Sequence, residues 1–250
     1  MSHGRIFGGQ IIAQGLHAAA QSVDGKPAHS LHAYFSGPGS CAAPVDYIVS
    51  RDHDGRSFSR RTVTAVQNGS RLVRLSASFH APEPGFHHQL DAPDAPDPES
   101  LPSNTRFGPA SPIADSNLIF DTGGIEVRPV DMAQESKQAD AAATRAWFRF
   151  AGPLPQDRAI HQAIMAFVSD MTLLSTALKP HGIAVRTAGL RFVSLDHAVW
   201  FHDEFRADEW LLYAKDSPWA GGARGFTRGQ VFTRQGRLVA SVAQEGLFRS

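Results

Sequence analysis

Asn68-Gly-Ser-Arg-Leu-Val-Arg-Leu-Ser-Ala-Ser-Phe79 and Gln235-Gly-Arg-Leu-Val-Ala-Ser-Val-Ala-Gln-Glu-Gly-Leu-Phe248 follow one plan. Each has a turn glycine, then Arg-Leu-Val, then an alternating strand that ends on a phenylalanine. Arg71 and Arg237 are 166 residues apart, and so are Tyr34-Phe35 and Trp200-Phe201. Phe7-Gly-Gly-Gln10 and Phe167-Val-Ser-Asp170 are 160 apart, a small insertion away from the same offset. These spacings predict one structural unit used twice. Asn68-Gly69 is a strong two-residue hairpin signal, and Gln235-Gly236 takes the equivalent place.

Working outward, the first unit begins with Ile12, Leu16, Ala19 and Val23, which predict a helix over Gln10–Val23. Gly8-Gly9 just before it suits a tight entry or a close backbone approach. Strands are predicted at Ser30–Phe35, Val45–Val49, Ser57–Val66 and Arg71–Phe79. In the second half, strands are expected at Ile125–Val130 and Thr144–Phe150. An amphipathic helix over His161–Leu178 follows, closed by Pro180 and Gly182. Further strands are predicted at Leu190–Phe201, Glu209–Ala214, Gly225–Thr233 and Arg237–Phe248. The expected class is α+β: a helix wrapped by an antiparallel sheet, twice. Between Asp91 and Pro112 six prolines interrupt all periodicity, which reads as a linker over the surface. The expected division is a first unit over 1–90, a Pro-rich linker over 91–118 and a second unit over 119–250.

Composition narrows the function. The 250 residues are 42% hydrophobic, enough for one large domain or two small ones. Lys plus Arg and Asp plus Glu both number 24, so no overall field favours nucleic acid or anionic membrane. The single cysteine, Cys41, cannot form an internal disulfide and suits a reducing compartment. The start shows no charged region followed by an apolar one, and no stretch approaches the ~18 apolar residues of a membrane span. A cytoplasmic protein without a membrane span is the expectation.

One charge sits on a greasy face. Asp170 lies three residues after Phe167 and four before Leu174, so on an unbroken helix all three share one side. Burying a bare carboxylate costs several kcal/mol unless it is hydrogen-bonded. Such a group reads as a general base or a water-orienting acid. The alternative is a helix break at Ser169, with Ser169 or Asp170 serving as an N-cap. Gln244 alternates with Leu238, Ala240 and Val242 and points where they point. Its amide can orient a water or a carbonyl, or it can simply bond to backbone. Ser194, in Phe192-Val-Ser-Leu-Asp-His197, is on pattern alone only a serine in a strand. Asp196 and His197 are neighbours on that strand and face opposite sides, so a direct dyad between them is not expected.

Other chemistries find no support. There is no Gly-x-Ser-x-Gly elbow, no Walker A loop and no His-Glu-x-x-His. No metal site and no cofactor are expected, despite twelve histidines. Cys41 reads as a bystander. Arg56, Arg60, Arg61, Arg224 and Arg228 alternate with apolar residues, as on a solvated sheet face, and could also meet a phosphate.

The chain resembles the acyl-CoA thioesterase II family, a double-hotdog group. The resemblance rests on Phe7-Gly-Gly-Gln10, His29-Ser-Leu-His-Ala-Tyr-Phe35, Pro38-Gly39, Asp54-Gly-Arg-Ser-Phe58, Val66-Gln-Asn-Gly69 and Ala77-Ser-Phe-His-Ala-Pro-Glu83. In the second half it rests on Ser169-Asp170, Leu178-Lys-Pro-His-Gly182, Leu195-Asp-His197, Trp200-Phe-His202, Glu209-Trp-Leu-Leu-Tyr213, Ala223-Arg-Gly225 and Gln244-Glu-Gly246. These stretches span nearly the whole chain. The resemblance implies two tandem hotdog units and hydrolysis of fatty acyl-CoA to fatty acid and CoA. It implies a catalytic trio of Asp170, Ser194 and Gln244, with Asp170 taking a proton from a water that the other two orient. A backbone N–H is expected to hold the oxyanion. Acyl-CoA as substrate and homo-oligomerisation are expected; nucleic acid is not.

Two departures from the family matter. Its hydroxyl position is commonly Thr, and Ser194 lacks the methyl that restricts the rotamer. The family also carries a strand ahead of Phe-Gly-Gly-Gln, whereas this chain begins six residues before Phe7, so the first unit is expected to lack that edge strand. A hotdog hydratase or dehydratase, or an acyl-CoA binder without turnover, are the alternative functions.

Overall fold

Alternation and helical spacing produce the expected elements in the computed structural model, which describes residues 4–101, 124–130, 143–185 and 187–249. The first half contains α1 (Gly8–Ala20), β1 (Ala28–Phe35), β2 (Asp46–Asp54), β3 (Phe58–Gln67) and β4 (Ser70–His80). The second contains β5 (Ile125–Pro129), β6 (Ala143–Phe150), α2 (Arg158–Ser169), β7 (Arg191–Ser194), β8 (Asp196–Phe201), β9 (Leu211–Gly221), β10 (Arg224–Thr233) and β11 (Leu238–Arg249). Asn68 and Gly69 both adopt positive φ, 49° and 75°, as a tight hairpin turn between β3 and β4 requires.

All described strands join one antiparallel sheet in the order β2-β3-β4-β1-β8-β11-β10-β9-β6-β5, with β7 paired to β11. The arrangement β1-β4-β3-β2 is mirrored by β8-β11-β10-β9. The register at the join bears out the 166-residue offset, but the 160-residue match fails, because Phe7-Gly-Gly-Gln10 opens α1 whereas Phe167-Val-Ser-Asp170 closes α2. Ser30 pairs with Trp200 and Tyr34 with Asp196, so each residue faces the other's counterpart across the 166-residue offset. A pseudo-two-fold axis therefore passes close to the His32–Ala198 pair. Among the described residues no strand pairs with the outer edge of β2, whereas its counterpart β9 is flanked by β6.

The sheet curls around both helices. Ile11, Ile12 and Leu16 of α1, and Met165 and Val168 of α2, meet Leu31, Val63, Leu75, Val199, Val231 and Val242 in one core. Each fully buried aliphatic side chain here contributes about 1.5–3 kcal/mol, so the join between the halves is strongly favoured. The described part of the proline-rich segment lies against the second half. Trp147 Nε1 donates to the Pro96 carbonyl at 2.9 Å, and Ala92, Ala95 and Leu101 pack on Trp147, Trp210 and Phe232. Residues 102–118 of the expected linker lie outside the described residues. No helix among the described residues is long and apolar enough to cross a membrane.

Two expected elements are broken. The predicted helix over His161–Leu178 stops at Ser169, and a 3-10 helix, Leu174–His181, resumes after a turn. Ser, Asp and Thr at 169, 170 and 172 compete for backbone groups and weaken helix propagation. Thr172 adopts φ 60°, a costly conformation for a β-branched residue. Lys215 Nζ donating to its hydroxyl at 2.7 Å helps to hold it there. The predicted strand Leu190–Phe201 is likewise divided into β7 and β8. Ser194 pairs with Gly246 and Ala198 with Ala243, so four steps on one side match three on the other. That is a one-residue bulge at Leu195–His197.

Candidate functional site

The break in α2 moves Asp170 out of the helical stripe and onto the helix end. Its side chain is only 6% exposed. Oδ2 accepts from the Gly9 backbone N–H at 2.8 Å, and Oδ1 accepts from Gln244 Nε2 at 2.7 Å. The carboxylate of one half thus caps the first turn of the helix of the other half, where the helix dipole favours negative charge. Gly8 and Gly9 make this approach possible. A Cβ on Gly8 would stand 2.9 Å from Asp170 Oδ2 and 3.0 Å from the Phe35 ring.

Gln244 reaches the site from β11 as its alternation predicts, and its residue is fully buried. Its Nε2 donates both to Asp170 and, at 2.9 Å, to Ser194 Oγ. Ser194 thereby accepts one hydrogen bond and keeps its own proton for another partner. Thr227 Oγ1 donates to the Gln244 carbonyl at 3.1 Å and steadies the strand at that point. All three side chains expected to act together are therefore joined through the Gln244 amide.

The bulge explains a residue that pattern reading missed. In a regular strand Ser194 and His197 would face opposite sides. The extra residue turns both inward, while the Asp196 carboxylate stays out of the site and accepts from the Glu245 N–H at 2.7 Å. His197 is buried, with Nε2 2.8 Å from Ser169 Oγ and Nδ1 3.9 Å from Asp170 Oδ1. Burial pushes its pKa below the usual histidine value, against the opposing pull of the Asp170 and Asp196 charges, so the ring is neutral. Tyr213 was missed too: its hydroxyl donates to the Ser169 carbonyl at 2.7 Å. Burial, reinforced by the Asp170 charge, holds that phenol well above its ordinary pKa. No local sequence signal marked Tyr213, because only the fold brings β9 under the end of α2.

The arginines divide. Arg61 is fully buried and donates to the Ser22 hydroxyl and carbonyl, the His53 carbonyl and Asp54. It is structural and not a surface residue. Arg224 pairs with Glu245 and Arg228 with Asp216, while Arg56 and Arg60 are exposed. Among the described residues no group of three or more His, Cys, Asp or Glu side chains could hold a metal ion.

Comparison with known proteins agrees along the whole chain. The family described as acyl-CoA thioesterase matches residues 116–247, and the acyl-CoA thioesterase N-terminal domain family matches residues 1–80. The chain is 38% identical to acyl-coenzyme A thioesterase 8 of Homo sapiens, over 98% of this chain and 81% of that protein. It is 34% identical to acyl-CoA thioesterase 2 of Haemophilus influenzae, over 98% and 88%. The crystal structure of the acyl-CoA thioesterase II TesB2 from Mycobacterium marinum superposes with a TM-score of 0.82 at 40% identity, covering 97% of this chain and 89% of that one. A hot dog protein from Alicyclobacillus acidocaldarius, 21% identical with a TM-score of 0.76, shares the fold alone over 98% and 87%.

Proposed function

Because the chain belongs to the acyl-CoA thioesterase family and is a hydrolase of acyl-CoA thioesters, we propose that Asp170 is its general base and that Ser194 and Gln244 orient the attacking water. The observation that carries this reading is a carboxylate sealed from solvent yet held by Gly9 and Gln244, with Ser194 on the same amide. A fixed acceptor of this kind stays basic without waiting for solvent to rearrange.

In the proposed cycle a water lies between Asp170 and Ser194. Asp170 takes its proton as the water oxygen bonds to the thioester carbon, and the carbonyl electron pair moves to oxygen. The tetrahedral intermediate then collapses, the C–S bond breaks, and the leaving sulfur recovers the proton from Asp170. The products are a fatty acid and free CoA, and the carboxylate is regenerated. The Ser194 hydroxyl, which accepts from Gln244, directs its own proton toward the incoming oxygen.

Mixing the full chain with acyl-CoA esters and following free thiol tests the reaction. Thiol release proportional to enzyme is expected. A change in enoyl absorbance without thiol would indicate a hydratase, and binding without either would indicate a carrier. Ser194→Ala should lower kcat/KM about tenfold to a hundredfold, in line with loss of one orienting donor, and Ser194→Thr should recover most of it. An unchanged Ser194→Ala rate removes the hydroxyl from the cycle.

The reading extends to organisation. Residues 1–90 and 119–250 form two hotdog units and 91–118 connects them. A reducing compartment suits the exposed Cys41 thiol, so the protein acts in the cytoplasm; recovery in a membrane or secreted fraction would refute this. The chain self-associates through the outer sheet face, where Tyr34, Ile48 and Phe58 stand exposed. Sedimentation should report an oligomer that Tyr34→Glu weakens, and a monomer at every concentration would end that idea.

A further inference from the structure

His197 is buried in the middle of the site, and the proposed cycle does not use it. Its Nδ1 has no hydrogen-bond partner among the described residues, and neither has Gln244 Oε1. The two lie close enough for the Gln244 amide to favour the protonated ring, although not at bonding distance. Only the oxygen of an amide can act in that sense, because its NH2 would repel a ring N–H. Nδ1 stands 3.9 Å from Asp170 Oδ1, and the Gln244 amide donates to that same oxygen at 2.7 Å, so two buried groups able to complement each other flank one carboxylate oxygen. Buried polar atoms are rarely left unpaired, and those that are call for an explanation.

The ring's tautomer decides whether they do complement each other. The Ser169 hydroxyl has one proton and two acceptors, the Ala166 carbonyl at 2.9 Å and His197 Nε2 at 2.8 Å. If the proton goes to the carbonyl, Nε2 must carry the ring hydrogen and donate it to Ser169. Nδ1 then turns a bare lone pair toward the Asp170 carboxylate and Gln244 Oε1, which are both acceptors. If the proton goes to Nε2, the neutral ring carries its hydrogen on Nδ1, aimed at those same two oxygens. The second arrangement gives up the neutral Ser169–Ala166 bond, but it sets an N–H rather than a lone pair 3.9 Å from a buried carboxylate, and the interaction with the charge is the stronger of the two.

We propose that His197 is a positioning residue for thioester hydrolysis: its Nδ1–H, selected by Ser169, faces Asp170 Oδ1 at 3.9 Å and, by attraction without a formed bond, keeps the carboxylate and the unpartnered Gln244 amide oxygen in place. This rests on the reading of Asp170 as the base. With the oxygen held, both Gln244 N–H bonds point at Asp170 and Ser194, as observed. Without it the amide is free to rotate and turn its oxygen against the carboxylate. The charged and titratable groups nearest the ring are Asp170 at the end of α2 and Asp196, adjacent on its own strand but bonded to the Glu245 N–H, with the Tyr213 phenol of β9 on the adjoining Ser169 carbonyl.

Two substitutions separate the ring's two nitrogens. Asn at position 197 returns an amide near Nδ1, whereas Gln reaches toward Nε2 and keeps only the Ser169 side. With an acyl-CoA ester followed by thiol release, His197→Gln should lower kcat about tenfold to a hundredfold with KM changed less than threefold, the range of one misplaced catalytic group. His197→Asn should recover most of kcat, and Ser169→Ala should resemble His197→Gln. Equal losses for Gln and Asn, or a His197→Gln enzyme within twofold of the parent, overturn the proposal. Nitrogen-15 chemical shifts of the ring in the unsubstituted protein give a reading that no misfolded variant can obscure. An Nδ1–H ring is expected and an Nε2–H ring refutes it. Asp170→Asn run in parallel distinguishes the failures. If it retains turnover, the base assignment has fallen; if it alone is impaired, only the role of His197 has.

Discussion

Asp170→Asn should lower kcat by about a thousandfold, within the hundredfold-to-ten-thousandfold range of general-base catalysis, while acyl-CoA binding changes little. The substitution keeps the shape of the side chain, and its oxygen can still accept from the Gly9 N–H. It removes the group that takes the water's proton. It also sets an NH2 opposite the Gln244 NH2 that now donates to Oδ1 at 2.7 Å, so the amide must turn and release Ser194. Stability should hold or rise, because an amide costs less than a carboxylate in a site 6% exposed. Single-turnover thiol release gives the rate, and titration with a non-hydrolysable thioether analogue gives the affinity. Turnover within tenfold of the parent would remove Asp170 from the chemistry.

Gly9→Ala should destabilise the protein although it adds a single methyl group. Taken alone, glycine to alanine inside a helix gains roughly 1 kcal/mol. Here the added carbon would lie 2.5 Å from the Phe167 carbonyl oxygen and 2.5 Å from the Phe7 ring. The ring can yield somewhat, but the backbone of α2 cannot, and overpacking of this kind costs about 1–3 kcal/mol or more. With a rigid carbonyl as the obstacle the cost lies toward the upper end of that range and outweighs the propensity, so a net loss of about 1–2 kcal/mol is expected. Moving α1 away from α2 also withdraws the N–H from Asp170 Oδ2, so activity should fall at least tenfold even where the protein is folded. Urea midpoints with thiol release on the same samples separate the two effects. A Gly9→Ala protein as stable as its parent would show that the helices have room to spare.

Several of these features could be read from the chain itself. The offset between Arg71 and Arg237 was visible in one dimension and returns in three as the reciprocal pairing of Ser30 with Trp200 and Tyr34 with Asp196. Gln244 followed from alternation because β11 is regular where it lies. Asp170 stood out because a charge among apolar residues is costly, although the helix assumed to carry it ends one residue earlier. The other reading weighed for Asp170, a helix break with a cap, holds in part. The helix does break, and the carboxylate does cap a helix, but that helix is α1 and not its own. His197 was hidden because periodicity assumes an unbroken strand, and one extra residue at Leu195–His197 reverses which side chains face in. Gly8-Gly9 was legible as a close backbone approach, but its partner Asp170 is 161 residues away, and Tyr213 was hidden because its contact is 44 residues away in the chain.

The twin halves do not share the labour equally. At the far end of α1, where symmetry would look for a second acid, the Ser22 hydroxyl and carbonyl are tied to the guanidinium of Arg61, which stands at the counterpart of Thr227. A buried cation thus occupies the mirrored place. What the first half gives the acid of the second is a peptide hydrogen, lent from Gly9. A fused pair can tolerate such lopsidedness where two separate identical subunits cannot, since any change in one copy of a subunit appears in both.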